Sequence, residues 1–132
     1  MVKVRKQKFK LETAQKLLKV AQDDLYAAEI LSMAPKARPE TILYHVQQSI
    51  EKSLKAVQIH RGEAVLLTHD IDLLMAELPS SFIDKLPQGV GELTQYATIR
   101  RYLDGEEVLE KEDLLEAIEV GKIFVKWAAE RI

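Results

Sequence analysis

The segment LYHVQQSIEKSLKAV, residues 43–57, gives the clearest indication of the fold class of this chain. Apolar residues recur in it at steps of three and four, which is the spacing that places side chains on one face of an α-helix. Pro39 suits the first turn of such a helix and Gly62 suits its end, so the pattern predicts a helix from Pro39 to about His60. Its predicted buried face consists of Leu43, Val46, Ile50, Leu54 and Val57.

Upstream of this helix, the same spacing predicts a first helix from Leu11 to about Met33. The helix should end there because Pro35 and Pro39 lack backbone N–H donors and restrict the residue before them. Alanines on its inner face would let a neighbouring helix approach closely. The predicted inner face consists of Leu11, Ala14, Leu18, Ala21, Leu25 and Ala28.

Downstream, a third and shorter helix is predicted between Thr68 and Pro79. Thr68 is placed to cap it, and the carboxylates of Asp70 and Asp72 favour the exposed amides of its first turn. The segment SSFIDKLP, residues 80–87, predicts a turn or a single helical turn.

Two more helices are predicted, one over Gln88 to Tyr102 and a last one from about Glu110. No alternating strand pattern is present in the sequence. Short linkers between long helices make sequential helices antiparallel. The sequence therefore predicts an all-α fold, an antiparallel up-and-down bundle of four main helices plus a short inserted helix. The last helix would face inward with Leu114, Ile118, Gly121, Val125 and Ala128.

Length and composition restrict the class of protein. A chain of 132 residues can fill one core, so we expect residues 1–10 to be a basic N-terminal arm or helix extension and residues 11–132 to be a single helical bundle domain. No apolar run suggests a membrane span or a secretory signal, and a cytoplasmic protein is expected. With no cysteine and three scattered histidines, we expect neither a metal nor another cofactor.

Charge is distributed unevenly along the chain. Residues 1–10 hold five of the nineteen basic groups and no acid, whereas eight carboxylates and one lysine lie between Asp104 and Glu119. The acidic density repels a nucleic-acid backbone, so binding to duplex nucleic acid is disfavoured. The basic start could be a nucleic-acid or partner arm, although charged terminal segments are more often simply solvated.

A row of polar residues accompanies the apolar face of the second helix. Tyr44, Gln48, Glu51 and Lys55 follow one another at steps of four, three and four, and Lys52 flanks them. Such a row could bind a polar ligand or a partner helix. The alternative is an ordinary solvated face with contacts from Tyr44 to Gln48 and from Gln48 to Lys52.

The segment Thr68-His69-Asp70 offers a second set of polar groups. Backbone amides at a helix start, together with a histidine that titrates near neutral pH, can hold an anion or move a proton. The alternative is that Thr68 caps the helix and His69 only hydrogen-bonds across the bundle. His45 and His60 are expected on or near the surface without special partners.

The segment Arg100-Arg101-Tyr102 joins guanidinium donors to an aromatic ring, the pair needed to bind phosphate and to stack a base. Compensation of a helix dipole by arginine is the alternative. Asp23 and Asp24 in the first helix lack the paired-carboxylate context of a catalytic acid and base. Trp127 suits a core or interface anchor better than a ligand platform.

With these residues in view, the chain resembles the HEPN domain family, small helical domains named for higher eukaryotes, prokaryotes and nucleotide binding. In the first helix the resemblance rests on Ala21, Asp24, Leu25 and Ala28. In the second helix, YHVQQSIEKSLKAV is similar to the family stretch Ala-Gln-Gln-Ala-Ala-Glu-Lys-Ala-Leu-Lys-Ala. The positions retained there are Gln47, Gln48, Glu51, Lys52, Leu54, Lys55 and Ala56.

The resemblance continues through Thr-His-Asp at residues 68–70 and through an Arg-Tyr pair at Arg101 and Tyr102, although Leu103 replaces the usual proline. It implies a bundle of four or five helices, commonly a homodimer, that acts beside a minimal nucleotidyltransferase. Some members are metal-independent ribonucleases, often toxins, that use an arginine and a histidine separated by four to six residues. No histidine follows Arg100 or Arg101, so that pair is absent from its expected place.

The leading interpretation is therefore a non-catalytic nucleotide-binding and protein-interaction module. In it Lys52, Lys55 and Arg101 contact phosphate, and Tyr102 stacks on the base. Gln48 and His69 orient the ligand, and Glu51 and Asp70 complete the candidate site. One alternative is an RNA endonuclease with a displaced His69 and Arg101 pair, and another is a purely structural dimer.

Overall fold

The computed structural model describes residues 4–97 and 109–132. Within them the chain forms five α-helices, one 3₁₀ helix and one small antiparallel sheet. The all-α prediction is confirmed. In chain order the elements are β1 (Lys6–Gln7), α1 (Glu12–Ser32), α2 (Pro39–His60), β2 (Val65–Leu66), α3 (Ile71–Ala76), α4 (Ser80–Ile83), the 3₁₀ helix (Val90–Ala97) and α5 (Lys111–Arg131).

The two long N-terminal helices follow their sequence patterns closely. α2 has the predicted bounds, and its chain turns at Gly62 with a φ of 78°, a left-handed conformation that favours glycine. The inner face of α1 is buried as predicted from Ala14 to Ala28. Leu11 is the exception at 57% exposed, because it lies at the N-cap, outside the turns that contact α2.

The start of α3 differs from the prediction in its capping residue. Asp70 is the N-cap, and its Oδ1 accepts a hydrogen bond from the Leu73 backbone N–H at 3.2 Å. Thr68 instead accepts from the Asp70 backbone N–H through Oγ1 at 3.2 Å. The chain is still extended at Asp70, so the first free amides of α3 lie within reach of Asp70 and beyond Thr68.

The predicted fourth helix is a 3₁₀ helix over Val90–Ala97, and residues 98–102 of that prediction lie outside the described part of the chain. Glycines and threonines make this segment a poor α-helix former. At Gly91 the 3₁₀ helix passes close to the exposed carboxylate of Asp72 on α3, and a larger residue there would require the Asp72 side chain to turn aside. Before it, α4 is the predicted single turn.

The expectation that the sequence contains no strand is wrong. β1 pairs with β2 in antiparallel register, with Lys6 opposite Leu66 and Gln7 opposite Val65. Each strand has only two residues, which is too short to show alternation, and the pairing joins segments far apart in sequence. The backbone N–H of Leu67 extends the pairing by donating to Arg5 O at 2.8 Å.

α5 lies across α1 and α2 and closes the bundle. Its N-cap Glu110 and Asp113 form a capping box. A Cβ on Gly121 would lie 3.1 Å from Leu25 Cδ1 and 3.2 Å from Ser49 Oγ, so glycine permits close contact among the three helices. The core centres on the fully buried Phe124, Ile50, Leu54, Ile59 and Ile71. Among the residues described, no helix is both long and apolar enough to cross a membrane.

Candidate functional site

A buried carboxylate on α2 organises the main polar cluster of the molecule. Glu51 is 4% exposed, and its oxygens meet four partners. Lys55 Nζ lies 2.9 Å from Oε2, and His69 Nδ1 lies 2.8 Å from Oε1. The side-chain amides of Gln47 and Gln48 donate to Oε1 at 3.1 and 3.4 Å. We call these five residues the Glu51 network.

The network is assembled from two segments of the chain. Gln47, Glu51 and Lys55 follow one another at steps of four, so one turn of α2 places each beside the next. His69 comes from the segment between β2 and α3, which the turn at Gly62 leads back to α2. The Gln47 amide secures this approach by donating to His69 O at 3.0 Å.

The surroundings of Glu51 keep its carboxyl ionised. Burial by itself raises the pKa of Glu51, but the charge and hydrogen bond of Lys55 lower it, as do hydrogen bonds from His69 and Gln47. The lowering influences prevail, and the pKa of Glu51 lies below its ordinary value of 4.5. The network therefore contains a buried anion at neutral pH.

His69 combines a fixed ring with access to solvent. Its Nδ1 faces the ionised Glu51 carboxylate and so carries a hydrogen, while its side chain is 58% exposed. Its Nε2 makes no hydrogen bond to any residue in the described ranges. In the neutral ring this nitrogen is an acceptor, and in the protonated ring it is a donor. His69 can therefore bind a ligand group or exchange a proton with it.

A second carboxylate, histidine and lysine cluster joins α1 to α2. Asp24 Oδ1 lies 2.9 Å from His45 Nδ1, and Asp24 Oδ2 lies 2.6 Å from Lys52 Nζ. The expectation that His45 has no special partner is therefore wrong. The spacing of residues along α2 cannot indicate this contact, because Asp24 lies on α1. We call these three residues the Asp24 cluster.

The structure brings part of the sequence-predicted site together. Gln48, Glu51, Lys55 and His69 belong to the Glu51 network, and the burial of Gln48 and Glu51 excludes a solvated face there. Lys52 belongs to the Asp24 cluster. The remaining predicted positions are placed as follows: Asp70 caps α3, Tyr44 packs edge-on against His45, and Arg101 and Tyr102 lie outside the described residues.

Sequence reasoning left Gln47 out of the site although it is fully buried and bonds to both Glu51 and His69. The signal was available, because Gln47, Glu51 and Lys55 form an unbroken row at steps of four. The family motif includes Gln47 but does not indicate that its side chain contacts the polar row beside it.

A cavity of about 370 Å³ lies apart from the Glu51 network, between the 3₁₀ helix, the start of α2 and the start of α5. Its lining includes Leu43, Tyr96, Glu92, Asp113 and Glu116. None of the sequence-predicted site residues lines it within the part of the chain described. The described residues also contain no group of three or more histidines and carboxylates that could hold a metal ion.

Comparisons with known proteins cover most of the chain. The sequence matches the model of the HEPN domain family over residues 14–132. The fold is similar to the crystal structure of TT1696 from Thermus thermophilus, with a TM-score of 0.70 and 23% sequence identity over 90% of this chain and 98% of that chain. That likeness supports the helical fold. No protein of curated function matches the sequence.

Proposed function

Since the chain belongs to the HEPN domain family, we propose that it is a cytoplasmic nucleotide-binding and protein-interaction module that acts with a minimal nucleotidyltransferase. Family membership makes a nucleotide- or RNA-related function the starting point. The observation that supports a ligand site is the Glu51 network, in which a buried anion fixes an exposed imidazole.

A purely structural role would not explain the Glu51 network, because burying its charged groups costs free energy. Burying a carboxylate and a lysine carries a desolvation penalty, and apolar residues of similar volume often serve stability as well or better. The side chains of Gln47, Gln48 and Glu51 are nonetheless buried together in α2. What this arrangement provides is a fixed orientation of His69 toward solvent, which is of use to a ligand site.

The proposed contacts between individual residues and the nucleotide are not equally well supported by the structure. His69 is the best supported contact because its Nε2 has no hydrogen-bond partner within residues 4–97 and 109–132. Lys52 and Lys55 already contact Asp24 and Glu51, so a phosphate would have to compete with those carboxylates. We therefore propose that His69 makes the first contact with the nucleotide, with Arg101 on phosphate and Tyr102 on the base. Gln48 and Asp70 then act by holding His69 and the α3 start in place.

Calorimetric titration with ATP, GTP and CTP tests the proposal. His69→Ala should weaken nucleotide binding by about tenfold or more, since a hydrogen bond to a charged group contributes about 1.5–3 kcal/mol. His45→Ala is the matched control, because it also removes a histidine whose Nδ1 faces a carboxylate, and it should leave binding unchanged. If no binding is detected at millimolar nucleotide, with and without a nucleotidyltransferase, the proposed nucleotide binding is contradicted.

The proposed protein interaction is supported by exposed apolar residues on the outer face of α1. Tyr26, Ile30 and Met33 follow one another at steps of four and three and are 66%, 46% and 73% exposed. We propose that this row contributes to a homodimer, since a self-complementary apolar patch favours a two-fold interface. Ile30→Lys should halve the mass measured by light scattering, and an unchanged mass would place any interface elsewhere.

A metal-independent RNA endonuclease, as in toxin-type HEPN proteins, is a second candidate. It is favoured by one observation, the orientation of His69 by Glu51, which suits a general base or acid. Purified protein should then cleave RNA in the presence of a chelator, and His69→Ala should abolish the cleavage. If wild-type protein cleaves no RNA, the binding module remains the better proposal.

A further inference from the structure

β1 has an outer edge that pairs with no strand in the described part of the chain. We propose that an extended, acidic segment of a partner protein binds this edge as a third strand. Residues 4–8, which contain β1, are all exposed. None of them belongs to the Glu51 network or to the exposed apolar row on α1. Failure of this inference would therefore leave the nucleotide site and the homodimer standing as proposals.

The pairing of β1 with β2 fixes the direction of the backbone groups of β1. Arg5 O accepts a hydrogen bond of 2.8 Å from the Leu67 backbone N–H, and the antiparallel register makes Gln7 the next residue hydrogen-bonded to β2. Because the peptide bond is planar and trans, an N–H that follows an inward C=O points outward. The N–H and C=O of Lys6 and the N–H of Lys8 therefore point away from β2.

These outward backbone groups of Lys6 and Lys8 make no hydrogen bond to any residue in the ranges 4–97 and 109–132. Two residues of extended chain span about 6.8 Å, so the two N–H donors repeat at the spacing of the carbonyl groups along one edge of another strand. The sugar–phosphate backbone of a nucleic acid lacks this alternation of donors and acceptors. The exposed edge therefore fits a peptide backbone, which binds to strands in this way in other proteins.

The fold holds β1 in place before a partner binds. On one edge β1 pairs with β2. Lys6 Nζ lies 2.7 Å from Glu77 Oε1, which ties the strand to the end of α3. Phe9, which follows β1, is half-buried and packs against the hydrophobic core. A strand that is already fixed loses less conformational entropy when a partner segment pairs with it.

The charge of this edge indicates the chemistry of the partner segment. Residues 1–10 contain five basic groups and no acid, and Arg5 and Lys8 form no ion pair within the described residues. Opposite charges on directly paired strands attract, and like charges repel. The edge therefore favours an acidic strand. It disfavours the β1 strand of a second copy, which would bring lysines together.

Fluorescence anisotropy with the labelled peptide Glu-Val-Glu-Thr-Glu-Val-Asp tests the inference on the full chain. The matched control is the same peptide methylated on the backbone nitrogens of its three central residues, which keeps its charge but blocks strand pairing on both of its edges. The methylated peptide should bind about tenfold or more weakly, because several backbone hydrogen bonds are lost. Equal binding of the two peptides would show attraction by charge alone, and no binding of the parent peptide at low salt would show no site. Either result would overturn the inference.

Substitutions at Lys8 separate the backbone donor from the charge. Lys8→Pro removes the outward N–H and the ammonium, whereas Lys8→Gln removes only the ammonium, and neither removes a hydrogen bond to β2. Lys8→Pro should therefore bind the peptide about fivefold more weakly than Lys8→Gln does. Thermal unfolding shows whether both variants are folded. Equal affinities in two folded variants would contradict the strand geometry.

The contribution of charge is tested by Arg5→Gln, which should weaken binding of the acidic peptide by about threefold. Lys36→Gln has the same change of net charge at an exposed residue between α1 and α2, and it should leave the affinity unchanged. Equal losses in the two variants would mean that only net charge matters and would contradict a site on β1.

Amide hydrogen exchange measured by NMR locates the bound peptide on the unmodified protein. In the free protein the amides of Lys6 and Lys8 should exchange faster than the amide of Gln7, which faces β2. Saturating peptide should slow the exchange of Lys6 and Lys8 by about tenfold or more, because both become donors to the added strand. Protection of other amides without these two would place the peptide elsewhere and overturn the inference.

Discussion

The Glu51 network and the Asp24 cluster contain the same three groups, a carboxylate flanked by a histidine Nδ1 and a lysine, yet they differ in which group meets the solvent. In the Glu51 network the acid is 5% exposed and the histidine 58%, as side chains. In the Asp24 cluster the acid is 14% and the histidine 26% exposed. One arrangement directs an imidazole outward from a buried anion, and the other ties α1 to α2. Equal chemistry thus serves a candidate site in one place and helix packing in the other.

The largest expected effect comes from removing each carboxylate. Glu51→Ala should lower the free energy of unfolding by about 3 kcal/mol, because it leaves the partly buried Lys55 ammonium without its counter-ion and removes one of the acceptors of two buried amides. Asp24→Ala should cost about 1–2 kcal/mol, since both of its partners can reach water. Urea unfolding measures both variants. Similar values would contradict the distinction between the buried Glu51 carboxylate and the less buried Asp24 carboxylate.

Each carboxylate has its own lysine: Lys55 contacts Glu51, and Lys52 contacts Asp24. Lys55→Met should raise the pKa of Glu51, because the Lys55 ammonium is the main influence that lowers it against burial. Lys52→Met is the matched control and should leave that pKa unchanged, since Lys52 contacts Asp24. Carbon-detected NMR titration of the Glu51 carboxyl gives the result. If the two variants shifted it alike, the coupling would be through net charge and not through contact.

Acid unfolding depends on the ionisation of the buried Glu51 carboxylate. The pKa of folded Glu51 lies below 4.5, so the stability it contributes is complete above pH 4.5 and is lost as the pH falls through the folded value. Glu51→Gln removes this titration, and its free energy of unfolding should fall less steeply below pH 4.5 than that of the wild type. Denaturant unfolding over a series of pH values checks the slope. An unchanged slope would mean that other carboxylates govern acid unfolding.

The smallest effects on stability are expected for substitutions of the two histidines. His45→Ala should reduce stability more than His69→Ala, whereas His69→Ala should reduce nucleotide binding more than His45→Ala. His69→Ala should cost about 0.5 kcal/mol because the ring is mostly exposed, and His45→Ala about 1 kcal/mol because it is partly buried between α1 and α2. Nucleotide affinity should respond in the opposite order. A larger loss of stability for His69→Ala would indicate that its role is structural.

Much of the fold could be predicted because helix periodicity is a local property. α2 has its predicted bounds, since Pro39, Gly62 and the apolar steps between them lie within one segment. The cap of α3 was predicted two residues too early, because Thr68 and Asp70 can both accept from free amides and only the backbone path distinguishes them. The two-residue strands escaped prediction because their pairing depends on contacts across the fold.

Local patterns in the sequence were sufficient to predict the long helices, the row of polar groups along α2 and the membership of the HEPN family. Contacts between elements establish which lysine neutralises which carboxylate, that Gln47 and His69 join Glu51, and that the basic arm pairs with β2. The physical reason is that spacing along one helix fixes which side chains share a face, whereas burial and ion pairing depend on the neighbouring element, which the spacing does not specify.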